Sequence, residues 1–221
     1  MQRSDRFSLA TRIIVLGFIA NTVLMISKLL VGYYAHSDAV FADGLESACD
    51  FFALSSSMVA LRFGKEPLDE QHPYGHGRAE SIAALFIGLL IVITGLMIVV
   101  SGANHVLAPP AERPLPIALV ITAMTIIAKW YLYRTTEHAS KRLDSPAVRA
   151  VADDHKKDAL TSLATFGGVL GALLGWSVLD PLAAAITGVL IVIMGGRTIK
   201  DAVHDLLDGS VDRAHIDVIA L

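Results

Sequence analysis

From Ala83 to Val100 the chain runs AALFIGLLIVITGLMIVV, with one hydroxyl (Thr94) and no charge. A segment of this kind has the length of a bilayer-spanning helix, about 20 residues, and exceeds the roughly ten residues of a tilted membrane strand. It shows no alternation of outward and inward positions, so it spans as a helix. It forms the centre of the third of six expected spans, at about 11–34, 39–63, 80–106, 117–133, 151–176 and 182–197, the last helix continuing to about 207. A polar loop with two histidines occupies 64–78, and the proline-rich loop 108–116 cannot extend a helix ladder. A charged linker is expected over 134–149 and a tight turn over 177–181. The fold class expected is therefore an all-α membrane protein of six transmembrane helices. One membrane domain fills 1–210, and 211–221 is a short tail or the beginning of a further cytoplasmic domain. Only 18% of the residues are charged, against about 25% in soluble domains, and the mean hydropathy is +0.58.

Several function classes fall away at once. The net charge of -3 offers no electrostatic ground for a nucleic-acid partner. The single cysteine, Cys49, excludes an intrachain disulfide and a zinc centre built from several thiolates. The polar N-terminal stretch has no cleavage pattern, so the first apolar run is expected as a retained span.

Basic residues set the expected orientation. Arg3, Arg6 and Arg12 precede or open the first span, Arg62, Lys65 and Arg78 flank the loop between spans two and three, and Arg134, Lys141, Arg142 and Arg149 lie between spans four and five. Arg197, Lys200 and Arg213 follow span six, whereas the opposite loops hold only Arg113. Both termini, the histidine loop and the 134–149 linker are thereby expected in the cytoplasm.

Two segments break the apolar rule in one way. Glu46 and Asp50 stand four residues apart in the second span, and Asp154 and Asp158 do the same in the fifth. Positions i and i+4 share a helix face, so each helix offers two oxygen ligands in one direction. Four carboxylates converging in a low-dielectric interior need a neutralising partner. A divalent cation serves, and protons serve when it is absent. Ionisable groups inside a span are functional candidates by default. The blander reading pairs these acids with nearby cations, Lys28, Lys129, Lys156 or Lys157, or lets them reach water at helix ends.

A second cluster, Asp69, His72 and His76 with Glu70 beside it, lies in the histidine loop; imidazole with carboxylate suits zinc and other transition metals. His36, His105, His138, His204 and His215 stand apart from such clusters and are expected at surfaces or interfaces. Gly167, Gly168, Gly171, Gly175, Gly188, Gly195 and Gly196 are expected to permit close helix packing. Ser27 is expected to serve packing, while Asn21 either bonds across helices or faces a transport cavity.

The pattern resembles the cation diffusion facilitator family. The carrying residues are Ala42-Asp-Gly-Leu-Glu-Ser-Ala-Cys-Asp50, the loop HPYGHGRAES from His72 to Ser81, Asp153-Asp-His-Lys-Lys-Asp-Ala-Leu-Thr-Ser162 and Leu179-Asp-Pro181. The resemblance covers nearly the whole chain. It implies a homodimeric metal/proton antiporter, multi-pass in the inner (plasma) membrane of a bacterium, with a divalent metal as substrate and no cofactor. It implies that Glu46, Asp50, Asp154 and Asp158 form the intramembrane transport site, and that Asp69, His72 and His76 form a secondary loop site. It places Arg78 in a charge interlock whose acidic partner is Asp208.

Two departures from the family pattern matter. Zinc-transporting members usually carry a histidine in the tetrad, whereas all four matching positions here are carboxylates, with His155 one position off as an additional candidate ligand. Hard oxygen ligands favour manganese or iron, with zinc, cadmium or cobalt behind. The cytoplasmic domain that follows the sixth span in the family is represented at most by 211–221. The expected activity is export of metal from the cytoplasm in exchange for protons by alternating access. A metal-binding scaffold subunit is the alternative. An enzyme is disfavoured because Ser47 and Thr161, the hydroxyls near the acids, belong to no catalytic constellation.

Overall fold

The computed structural model describes residues 3–63, 78–108, 112–143 and 145–207. Six helices account for nearly all of them: α1 (Arg3–Tyr34), α2 (Asp38–Phe63), α3 (Arg78–Leu107), α4 (Pro116–Leu143), α5 (Pro146–Leu173) and α6 (Leu179–Leu206). The chain is an all-α membrane protein. Four helices contain a segment long and apolar enough to cross a bilayer, Val15–Tyr34, Ser81–Leu107, Pro116–Leu143 and Leu179–Leu206. The other two, α2 and α5, carry the paired carboxylates.

Local chemistry sets the helix ends. Ser145 caps α5 by accepting from the Val148 N–H, and Pro146 follows it in the first turn, where its missing N–H is no loss. His36 turns the chain between α1 and α2 at φ 53, and Gly175 ends the α5 region at φ 112. Two expectations need correction here. The charged stretch after 133 is not a linker: α4 continues through it to Leu143, helped by a Lys141–Glu137 pair one turn apart at 2.9 Å. The 177–181 turn is displaced as well. Positive φ at Gly175 stops the chain earlier, and Leu179, Asp180 and Pro181 already form the first turn of α6, a place that tolerates proline.

The described chain divides into two units. The first comprises residues 1–48 and 95–189, the second 49–94 and 190–221. In the first unit α4 packs along α5 and against α1, over a core of small side chains that includes Ala35, Ala39, Val40, Ala118 and Val169. Large apolar groups point outward instead. Phe86, Leu90, Ile93, Met97 and Val100 form an exposed stripe along α3, as a lipid-facing surface requires. Tyr33, Tyr34 and Trp176, all largely exposed at helix ends, suit an interfacial aromatic belt.

Glycines bring α3 and α6 into backbone contact within each unit. In the first, a Cβ on Gly188 would lie 2.9 Å from the Val99 nitrogen, and one on Gly102 2.8 Å from the Pro181 oxygen. In the second, a Cβ on Gly195 would lie 2.9 Å from the Val92 nitrogen. Gly167 and Gly196, expected in the same role, have open space at that position. Gly188→Val is therefore expected to lower stability by about 1–3 kcal/mol through overpacking, while Gly196→Ala leaves it unchanged or slightly raised. Thermal unfolding in detergent compares the two; equal losses would contradict the packing assignment.

Candidate metal-binding carboxylate site

The largest fully buried side chains of the described residues are two lysines, Lys28 and Lys129. A buried ammonium needs an anionic partner, and each lysine has one. Lys28, 1% exposed, meets Asp43 of α2 at 3.0 Å. Its Nζ also donates to Ser47 at 2.8 Å. Ser162 of α5 donates to the other Asp43 oxygen at 3.0 Å. This network ties α1, α2 and α5 together.

Lys129 of α4 serves Asp158. Its Nζ donates to Asp158 Oδ2 at 2.5 Å and to Asn21 Oδ1 of α1 at 2.7 Å. The Asp158 side chain is 12% exposed. Glu46, on α2, is buried and has Lys157 Nζ 3.6 Å from its Oε1. Asp154, one turn before Asp158 on α5, is half-buried. His155 is fully buried, its ring lies against Gly17 of α1, and neither ring nitrogen has a hydrogen-bond partner among the described residues. In the first unit, then, Glu46 is buried and Asp158 nearly so, and each faces a lysine. Asp50 stands one turn beyond Glu46 on α2, half-buried, and belongs to the second unit. Among the described residues no three His, Cys, Asp or Glu side chains are close enough together to hold an ion.

A family model described as the cation efflux transmembrane domain matches residues 14–207. The chain belongs to the cation efflux family. It is 35% identical over 216 residues to the manganese efflux system protein MneP of Bacillus subtilis, covering 95% of this chain and 72% of that protein. It is 33% identical over 209 residues to the manganese efflux system protein MneS of the same organism, with the same coverage. The metal tolerance protein C1 of Arabidopsis thaliana is 32% identical over 219 residues, 92% of this chain and 46% of that protein. Proteins of this family are transporters and not enzymes. The chain is accordingly an integral membrane domain for the export of divalent metal cations, with the ions as its substrates.

Two carboxylates with defined roles were not singled out by spacing. Asp43 lies three residues before Glu46, on the same side of α2, and its helical register is the signal that could have found it. Asp180 is 2% exposed and accepts from Ser37 Oγ and the Asp38 N–H, both at 2.7 Å. It thus caps α2 from the start of α6, and no sequence signal links positions so far apart. Asp38 also meets His105 Nδ1 at 2.5 Å, and His36 meets Glu112 at 3.2 Å, so both histidines have company that the sequence did not suggest. Arg78 opens α3 and is exposed. Its expected partner Asp208, the loop cluster Asp69, His72 and His76, and the 211–221 tail lie outside the described residues.

Proposed function

We propose that this domain exports a divalent cation from the cytoplasm in exchange for protons, with Mn2+ or Fe2+ ahead of Zn2+ and Cd2+. Glu46, Asp50, Asp154 and Asp158 hold the ion. The observation that carries this reading is that Glu46, 4% exposed, and Asp158, its side chain 12% exposed, are each balanced by a lysine, in a family of metal exporters. Carboxylates at such positions are retained at a cost of about 2.5 kcal/mol or more each, which a purely packing role does not require.

An all-oxygen donor set suits hard cations, and two relatives are named for manganese efflux. Metal loading from the cytoplasm displaces protons from the carboxylates, and protons from the opposite side displace the metal. The side chains thus see one charge replace another and never four bare anions. The accompanying reading is a homodimer in a bacterial plasma membrane with both termini cytoplasmic. Asp69, His72 and His76 then form a loop site, and Arg78 pairs with Asp208.

The test is flux in liposomes containing the purified chain and an internal pH-sensitive dye. Mn2+, Fe2+, Co2+, Zn2+ and Cd2+ are added in turn. Metal movement coupled to opposite proton movement, lost in Asp50→Ala, is the expected result. Binding without flux would replace the transporter reading of this chain with a scaffold, and metal flux with no proton movement would remove the antiport.

A further inference from the structure

Lys129 is 2% exposed, and its ammonium is shared between Asp158 Oδ2 at 2.5 Å and Asn21 Oδ1 at 2.7 Å. The three residues come from α4, α5 and α1. Apolar groups in place of both members of such a buried pair would often serve equally well for stability, so the pair itself asks for a function. We infer that Lys129 is a tethered cation that competes with the metal for Asp158, and that it must leave Asp158 before metal can load. The inference rests on the reading of Asp158 as a metal ligand.

A divalent ion bound to an Asp158 oxygen would sit about 2–2.5 Å from it. An ammonium hydrogen-bonded to that same oxygen would then be a second cation within a few ångströms, in a medium that screens poorly. One of them has to move. The acceptor that Lys129 already touches besides Asp158 is the Asn21 amide oxygen, which is neutral and makes no claim on the metal's charge balance. Asn21 therefore holds the ammonium while the metal is bound, and the ammonium's return to Asp158 helps to expel the ion.

The arrangement also selects for charge. A tethered monovalent cation has a very high effective concentration at its carboxylate. Free Na+ or K+ gains nothing by replacing it, because one positive charge merely takes the place of another. A divalent ion brings twice the charge and can displace it. Lys129 is on this account a specificity-determining residue that rejects monovalent ions and weakens divalent binding enough for release.

The experiment is Mn2+ titration of the full chain in lipid nanodiscs, by calorimetry and by the Mn2+-induced rise in unfolding temperature. Lys129→Met is expected to bind Mn2+ about tenfold tighter than wild type, and to gain more in unfolding temperature when Mn2+ is added. Asn21→Leu is expected to bind about tenfold weaker, since the displaced ammonium loses its resting place. Opposite signs for loss of the ammonium and loss of its neutral acceptor would not come from a merely structural lysine. Unchanged or weaker binding by Lys129→Met overturns the inference. If that variant does not fold, Lys129→Gln takes its place under the same criterion. Failure of both neutral variants to fold even with Mn2+ present also overturns it, because bound metal should supply the missing charge. Asp158→Asn is the control for the underlying reading: wild-type Mn2+ affinity in that variant means that Asp158, and not the lysine, was misassigned.

Discussion

Asp158→Ala is expected to lower metal-driven proton flux by at least about a hundredfold, at or beyond the upper end of what loss of a ligand's supporting partner does. The substitution acts twice. It removes one of four proposed oxygen donors, and it leaves the Lys129 ammonium, 2% exposed, with Asn21 as its remaining acceptor among the described residues. The freed cation then stands near the other carboxylates as an unopposed repulsion against any incoming metal. Asp158→Asn removes the charge but keeps the side-chain volume and an acceptor oxygen for Lys129, so it should cost less stability than Asp158→Ala while flux is still lost. Ser27→Ala serves as the contrast, because Ser27 Oγ donates to Val23 O within its own helix at 2.8 Å and should not affect transport. Proteoliposome flux at matched protein insertion decides. Flux in Asp158→Asn within a few-fold of wild type would remove Asp158 from the site.

The helices were legible because apolar run length is a local property. The Ala83–Val100 run lies inside α3, and the carboxylate pairs of α2 and α5 follow from four-residue spacing alone. The end of α4 was hidden because its last turns are charged and resemble a linker, although Lys141 and Glu137 at i and i+4 support a helix. Partnerships were less accessible. Lys28, Lys129, Lys156 and Lys157 were all plausible cations for the acids, and spacing cannot choose among residues on different helices. The structure gives Lys129 to Asp158, Lys157 to Glu46, and Lys28 to Asp43. Asp180 reaches Ser37 across 143 positions, a separation that no periodicity spans. Asn21 stood open between packing and the transport cavity; its bond to Lys129 puts it beside Asp158.

Asp43→Ala is expected to destabilise the protein by about 3–5 kcal/mol, the range for removing one partner of a buried ion pair. Asp43 is 3% exposed and Lys28 1%. The carboxylate accepts from Lys28 and from Ser162, each at 3.0 Å. Without it, the buried ammonium keeps Ser47 at 2.8 Å and a main-chain oxygen at 3.4 Å, both neutral. The double replacement Lys28→Met with Asp43→Leu removes both charges and should recover most of the loss, because a buried pair is often no more stable than apolar groups of similar volume. A thermodynamic cycle of the two single variants and the double, measured by denaturant unfolding in detergent, yields the coupling. A coupling below about 0.5 kcal/mol, the limit of additivity for independent sites, would mean that the pair does not act as a unit. A strong coupling has a consequence for transport as well. Asp43 lies one turn before Glu46 on α2, and Ser162 one turn after Asp158 on α5, so their bond joins the two ligand helices just beyond the acids. A neutral double variant that is stable but transports slowly would show that this join is kept for its hold on the ligand geometry, and not for stability alone.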